Sequence, residues 1–271
     1  MNKISINEEQ NICELYLNGL SMDKIAIMYN VSKTPIIRIL KKHNVESRDD
    51  SHKGRLYSID ESYFETIDTP NKAYILGLFY ADGMNKEDSG LIKIELQERD
   101  KNIIYRINEE LKSNYPIKKH ELSKKNPNHQ DTYCLQFVNR KISHDLAKLG
   151  VIQNKSLKLS FPTFLPKELV RDFIRGYLDG DGHIRWAKTR FITICSTPLF
   201  CSALEAFLSD ELGIESRIHN TKNENTKVLH VFKIWQIKKL LTYLYEDSDL
   251  HIERKYNLFV EICKLDNSLT A

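Results

Sequence analysis

Two apolar stretches, AYILGLFYADGMN from Ala73 to Asn85 and DFIRGYLDGDGHI from Asp172 to Ile184, limit what this chain can fold into more than any other feature. Each reads as a buried helix that carries small residues in its interior and ends on an acid. Gly77 and Gly176 are 99 residues apart, and so are Asp82 and Asp181, which makes the second stretch a copy of the first in the same register. Ala73, Gly77 and Ala81 fall on one helix face at i, i+4 and i+8, and Gly176 and Gly180 repeat the spacing. Glycine inside a helix costs roughly 1 kcal/mol relative to alanine, and close approach of two helix backbones is the compensation that small residues at this spacing allow. The pattern therefore predicts a helix pair with Gly77, Ala81, Gly176 and Gly180 at its interface. If the helices run in the same direction, Asp82 and Asp181 emerge together beside free carbonyls and the negative ends of both helix dipoles. Such a concentration of oxygen and negative charge calls for a hard divalent cation such as Mg²⁺. One Asp-Gly at a helix end is ordinary turn chemistry. Two in identical register are not.

The repeat extends beyond these helices. In the first copy the motif helix leads to a weak strand near Met84 to Asp88, the strand LIKIELQ (91–97), the helix DKNIIYRINEELKS, strands YPIKKHEL and TYCLQFVN, and the helix SHDLAKLG. The second offers HIRWAK and RFITICS, the helix PLFCSALEAFLSDELG, strands SRIHNTK and KVLHVFKIW, and the helix QIKKLLTYLYED. The order helix, two strands, helix, two strands, helix appears twice, so the fold class is α+β with two pseudo-symmetric αββαββα repeats. Strand alternation leaves long polar side chains on one face. These are Lys93, Glu95, Gln97, Lys118, His120 and Gln136 in the first repeat, and Arg185, Arg190, Arg217, His219 and His230 in the second. Such a face suits a sheet laid in a DNA major groove, and also any half-solvated sheet.

Residues 6 to 45 have a separate periodicity. A helix from Asn7 stops near Gly19, Ser21 caps a second helix ending at Tyr29, and Ser32 caps a third that carries Pro35 in its first turn and runs through Ile36, Ile37 and Leu40 to about His43. Three short helices with a tight turn between the last two form the helix-turn-helix pattern, and the segment resembles homeodomain-like units of resolvase C-terminal regions. That resemblance places Ser32, Lys33, Thr34 and Arg38 at bases and Lys41 and Lys42 at phosphates. A protein-binding helical bundle would share this core, but the outward face is strongly basic. From Val31 to Leu56 seven Lys and Arg residues stand against three acids. Part of that run, with Arg48, Lys53 and Arg55, lacks an apolar period and reads as a basic linker. The expected organisation is 1–47 helix-turn-helix, 48–68 linker, 69–158 first repeat and 159–271 second repeat.

ILGLFYADG and IRGYLDGDG resemble the paired motifs of LAGLIDADG homing endonucleases, and DLAKLGVIQNKSLKLSFP and LLTYLYEDSDLHIERKYNLFVEI add to the likeness. Tyr80 replaces the earlier acid of the first motif, whereas the second keeps both Asp179 and Asp181. The resemblance implies a monomer whose two repeats form a saddle over double-stranded DNA. It implies site-specific double-strand cleavage with Mg²⁺ or Mn²⁺ held by Asp82, Asp181 and the carbonyls of Ala81 and Gly180. Glu98 and Ser196 are expected as supporting polar groups, and Arg140, Lys141 and Lys233 as basic groups near the phosphates. The same fold also implies two alternatives, a non-catalytic DNA-binding regulator and a maturase acting on intron RNA. An intein is disfavoured because the chain shows no nucleophile near Met1 and no terminal His-Asn pair.

Composition agrees with a soluble globular chain. Apolar residues make up 41% and charged residues 28% of the 271, and the formal charge of +3 hides local basic clusters that suit a polyanion. The five cysteines contain no CxxC pair, which argues against zinc or a disulfide framework and for a reducing cytoplasm in a prokaryotic or phage-infected cell. No signal peptide or membrane span is expected.

Overall fold

The computed structural model describes residues 4–45, 56–124, 126–153 and 155–265. The chain divides into two compact units, Met1–Leu56 and Tyr57–Ala271. In the first, α1 (Ile6–Leu17), α2 (Met22–Met28) and α3 (Lys33–Lys42) enclose a core of Ile12, Cys13, Tyr16, Ile25, Ala26, Ile36, Ile39 and Leu40. Ser5 and Glu8 form a reciprocal capping box on α1, and Ser21 accepts the Lys24 amide of α2. Two expectations are corrected. Ser32 makes no side-chain cap bond, and Ile39 rather than Ile37 turns inward, because it lies three residues from Ile36 on the same helix face. Arg48, Lys53 and Arg55 lie outside the described residues.

The second unit contains both repeats. Tyr63, Phe64 and Ile67 are buried in its core, so the end of the segment expected as linker is part of this unit. The first repeat runs α4 (Pro70–Ala81), β1 (Gly83–Lys86), β2 (Leu91–Gln97), α5 (Lys101–Glu110), β3 (Lys118–His120), β4 (Thr132–Val138) and α6 (Arg140–Lys148). The second runs α7 (Lys167–Asp181), β5 (Gly182–Trp186), β6 (Arg190–Ser196), α8 (Pro198–Leu212), β7 (Arg217–Asn220), β8 (Lys227–Val231) and α9 (Ile234–Tyr245), followed by α10 (Glu253–Phe259). Two antiparallel sheets result, ordered β1-β2-β4-β3 and β5-β6-β8-β7. Each buries one face: Ile92, Ile94 and Leu96 point inward from β2, and Ile192 and Ile194 from β6. Only Lys118–His120 of YPIKKHEL pairs as a strand. Pro116, just upstream, has no amide to donate to a ladder. α6 starts at Arg140, three residues before Ser143, because the Asn139 side chain accepts the Ile142 amide.

Thr69 caps α4 by accepting the Lys72 amide, and Pro70 occupies its first position. α4 and α7 then cross side by side. A methyl group on Gly77 would stand 2.1 Å from the Phe173 carbonyl oxygen, one on Gly176 2.0 Å from the Tyr74 carbonyl oxygen, and one on Gly180 2.3 Å from the Ala81 Cβ. The contacts progress together toward both C-termini, so the helices are parallel and the four small residues meet as the spacing requires. Backbone against backbone leaves no side chain to move aside. Gly176→Ala should therefore lower stability by about 3 kcal/mol or more, at or above the upper end of ordinary overpacking, as read from urea unfolding. A loss below about 1 kcal/mol would show that the helices are not in backbone contact.

Candidate active site at the paired helix ends

Asp82 caps α4 and Asp181 is the last residue of α7, so both carboxylates project where the helix carbonyls run out. The Asp82 Oδ2 lies across the crossing beside Gly180, 2.6 Å from where a side chain there would begin. Both residues keep exposed surface, although the helix pair and neighbouring loops crowd around them. Loss of hydration within this recess, followed by the charge of Asp181, pushes the Asp82 carboxyl up to about 6. Loss of hydration also raises Asp181, against the opposing pull of Lys155 and Lys255.

Those two lysines were not among the residues singled out from sequence. Lys155 donates from Nζ to the Ala81 carbonyl oxygen at 2.7 Å, and burial holds its ammonium below the ordinary lysine range. Lys255 is 2% exposed and donates to the carbonyls of Leu178, Asp179 (2.8 Å) and Gly182 (2.7 Å); burial lowers it to about 8. Each ammonium sits on the last carbonyls of one motif helix, the position that a cation would seek. The two lysines lie 100 residues apart in sequence, close to the spacing of the acids, which is the signal that could have found them.

The residue two before each acid fastens the loop that brings its lysine. Asp179 accepts from Tyr74 Oη at 2.8 Å, Tyr245 Oη at 2.6 Å and the Ile252 amide at 2.8 Å. Tyr80 instead donates to the Leu149 carbonyl, and Asn85 binds the carbonyls of Ser143 and Val151, both at 2.8 Å. The missing acid of the first motif is thus replaced by a hydroxyl that holds the matching loop.

A cavity of about 200 Å³ opens beside the acids, lined by Tyr80, Ala81, Lys155, Tyr177, Asp181, Cys195 and Ser196 among others. Ser196 reaches this site as expected, its Oγ accepting from Tyr177 Oη at 2.9 Å. Glu98 does not match it. Gly83 pairs with Ile94 while Gly182 pairs with Ile194, so the second hairpin is one residue longer and Ser196 corresponds to Leu96. Glu98 begins the turn after β2 and binds Lys119 at 2.9 Å. The three expected basic groups also lie elsewhere. Arg140 packs on Gly90 in the far hairpin turn, Lys141 is held by Glu65 and Asp145, and Lys233 by Glu215. Among the described residues no group of three or more His, Cys, Asp or Glu could hold a metal, so a cation here would depend on the two carboxylates, carbonyls and outside oxygens.

The open faces of the sheets carry most of the expected polar side chains. Lys93 pairs across strands with Gln136, Lys118 with Cys134 and Gln97 with Thr132. In the second sheet His183, Thr193, His230 and Arg217 form one row across four strands, with Arg185 and His219 on the same face. Arg190 is the exception. By alternation it shares the side of Ile192, and its guanidinium lies 5.0 Å from the Trp186 ring centre. In the first unit Ser32, Lys33, Thr34, Arg38, Lys41 and Lys42 are all exposed; Lys33 pairs with Asp23 at 3.0 Å and Lys42 with Glu9 at 2.7 Å. No described helix is long and apolar enough to cross a membrane.

Residues 168–256 match the family of LAGLIDADG-like domains. Among solved structures the chain is similar to the I-SmaMI LAGLIDADG homing endonuclease bound to cleaved DNA, with 13% identity, 75% of this chain and 90% of that one covered, and a TM-score of 0.47. It is similar to the homing endonuclease I-WcaI bound to its DNA recognition sequence at 14% identity, covering 75% and 86%, with a TM-score of 0.47. Full-length DUF199/WhiA from Thermatoga maritima is 15% identical over 78% of this chain and 69% of that one, with a TM-score of 0.47. No curated protein matches the sequence. The family match falls within the second repeat, and the fold of the second unit is α+β with two four-stranded antiparallel sheets.

The raised Asp82 carboxyl fixes the sign of a stability test. Its ionised form opposes folding above about pH 6, and that penalty fades as the pH falls toward the ordinary carboxylate value. Solvent screening leaves on the order of 1 kcal/mol. Asp82→Asn should therefore raise the thermal midpoint of the protein in chelator by about 2 °C at pH 8 and by little at pH 4. An equal difference at both pH values would show that Asp82 titrates normally.

Proposed function

We propose that this chain is a site-specific double-strand DNA endonuclease that acts as a monomer. The observation that carries the reading is the convergence of Asp82 and Asp181 at parallel helix ends, with the Lys155 ammonium standing on the Ala81 carbonyl where a cation is favoured. The donor set suits Mg²⁺ or Mn²⁺, which bind through one or two carboxylates and complete their shell with water and phosphate oxygens. Asp82 and Asp181, with the carbonyls of Ala81 and Gly180, would hold the ions. A bound ion supplies a water of lowered pKa and charge stabilisation for the leaving oxygen in phosphodiester hydrolysis.

The chain's own residues account for the remaining requirements. Two acids provide one centre for each DNA strand. Lys155 lines the cavity beside Asp181, where its positive charge favours an approaching phosphate and the additional charge of the transition state. Lys255 neutralises the end of α7 from within and keeps its last carbonyls in place. The open sheet faces supply polar side chains for DNA grooves. The first unit serves as a helix-turn-helix module, with exposed Lys33 and Thr34 at the start of α3, Arg38 in its middle and Lys41 and Lys42 at its end.

Incubating the protein with a plasmid library that carries a randomised insert tests this reading. In Mg²⁺ a small set of inserts should be linearised, cutting should stop in EDTA, and excess Mg²⁺ should restore it. A protein that enriches particular inserts by binding yet cuts none of them in Mg²⁺ or Mn²⁺ is a regulator, and the nuclease reading is then wrong.

A further inference from the structure

The two open sheet faces differ in chemistry although their backbones repeat. On the first, the acid Glu95 stands in the middle of the face, where it binds Lys93, His120 Nδ1 at 2.6 Å and Thr132. These interactions lower its carboxyl to about 2, so it stays ionised and occupies Lys93 and His120. What this network leaves for a ligand is mostly amide, from Gln97 and Gln136, together with Lys118.

The second face carries no acid. Its outward positions are His183 and Arg185 on β5, Phe191, Thr193 and Cys195 on β6, Arg217 and His219 on β7, and Val228 and His230 on β8. Glu215, just before β7, feels the charge of Arg217 but is held by Lys233. The Arg217 guanidinium lies over the Phe232 ring, its carbon 4.5 Å from the ring centre. The His230 ring stands between Phe191 and Phe232, with ring centres 5.2 and 5.7 Å away, and forms the wall beside it. A guanidinium stacked on a ring has lost much of its rotational freedom, so its planar fork is presented in a set direction at reduced entropic cost on binding. Strand order places it on β7, three strands across the sheet from β5, which follows Asp181. Arg217 pairs with His230, in the row one residue beyond the Gly182–Ile194 pair that adjoins Asp181.

Resting on the nuclease reading, we propose that Arg217 sets a guanine in the half-site beneath the second repeat. Guanine alone offers two acceptors, O6 and N7, side by side in the major groove, and a fork made only of donors fits that pair. The first face cannot make this contact in the same way. Its row equivalent is Lys93 with Gln136, where the cation is tied to Glu95 and the amide suits adenine.

The test uses the full chain and the randomised DNA library, read by sequencing both bound and cut molecules. In the wild type one position of the selected site should be guanine in nearly every molecule, and replacing that guanine by adenine in the DNA should slow cutting at least about 10-fold, within the range for a lost bidentate contact. Arg217→Gln should remove the preference at that position and leave the rest of the consensus unchanged, whereas Gln136→Ala should relax a position in the other half-site only. The DNA substitution needs no protein variant, so it decides the matter even if Arg217→Gln folds poorly. A selected site without such a guanine, or one whose guanine persists unchanged in Arg217→Gln, overturns the assignment of Arg217 and leaves the nuclease intact. A library from which nothing is cut overturns the nuclease reading itself.

Discussion

The backbone contact between α4 and α7 is the constraint on which the rest depends. Gly77 faces the Phe173 carbonyl and Gly176 the Tyr74 carbonyl at distances no side chain could occupy. Because both helices end at the same level, this contact sets the separation of Asp82 and Asp181 and drives Asp82 up to about 6. Two acids, two sets of terminal carbonyls and two helix dipoles then share one recess. Lys155 and Lys255 offset that charge from either side.

Buried polar groups extend the constraint to the rest of the unit. Arg175, fully buried in α7, binds Asp172 at 2.7 Å and the carbonyls of Leu250 and Leu244 at 2.9 and 3.0 Å, with Tyr74 of α4 beside it. Asp179 draws in Tyr74, Tyr245 and the Ile252 amide. Arg254 on α10 reaches Asp100 of the first repeat at 2.9 Å, and Arg106 reaches Asp249 at the same distance. Each of these ties the loop before α10, which delivers Lys255, to a motif helix or to the opposite repeat. Removing one partner of such a buried pair leaves a charge without compensation. The position of the lysine therefore depends on residues distant from it in sequence, with Arg175, Asp172 and Asp179 buried among them.

Much of this was legible in the sequence because local rules and the repeat agreed. Small residues at i and i+4 on two copies could be read as a crossing, the terminal acids as neighbours, and the alternation of LIKIELQ as a half-buried strand. The misreadings arise where the answer depends on contacts distant in sequence. Lys155 and Lys255 look like surface lysines until the turn after α6 and the start of α10 fold back onto the helix ends. Matching Glu98 with Ser196 by their place after IELQ and ITIC pairs residues 98 apart, whereas one added residue in the β5–β6 hairpin puts Ser196 opposite Leu96, 100 residues away. Arg140 and Lys141 directly follow the strand TYCLQFVN in the sequence, but the Asn139 cap makes them the first residues of a helix. Tyr80 is a substitution that only the folded chain explains, since its hydroxyl binds the Leu149 carbonyl.

The central claim is that each helix end serves one strand of a duplex. Strand-resolved cleavage of a selected target, with the two strands carrying different end labels, tests it most directly when the wild type is compared with Asp82→Asn and Asp181→Asn. Neither variant should produce double-strand breaks, while both should still bind the target with near wild-type affinity. Cutting of both strands at the wild-type rate by both variants would contradict it.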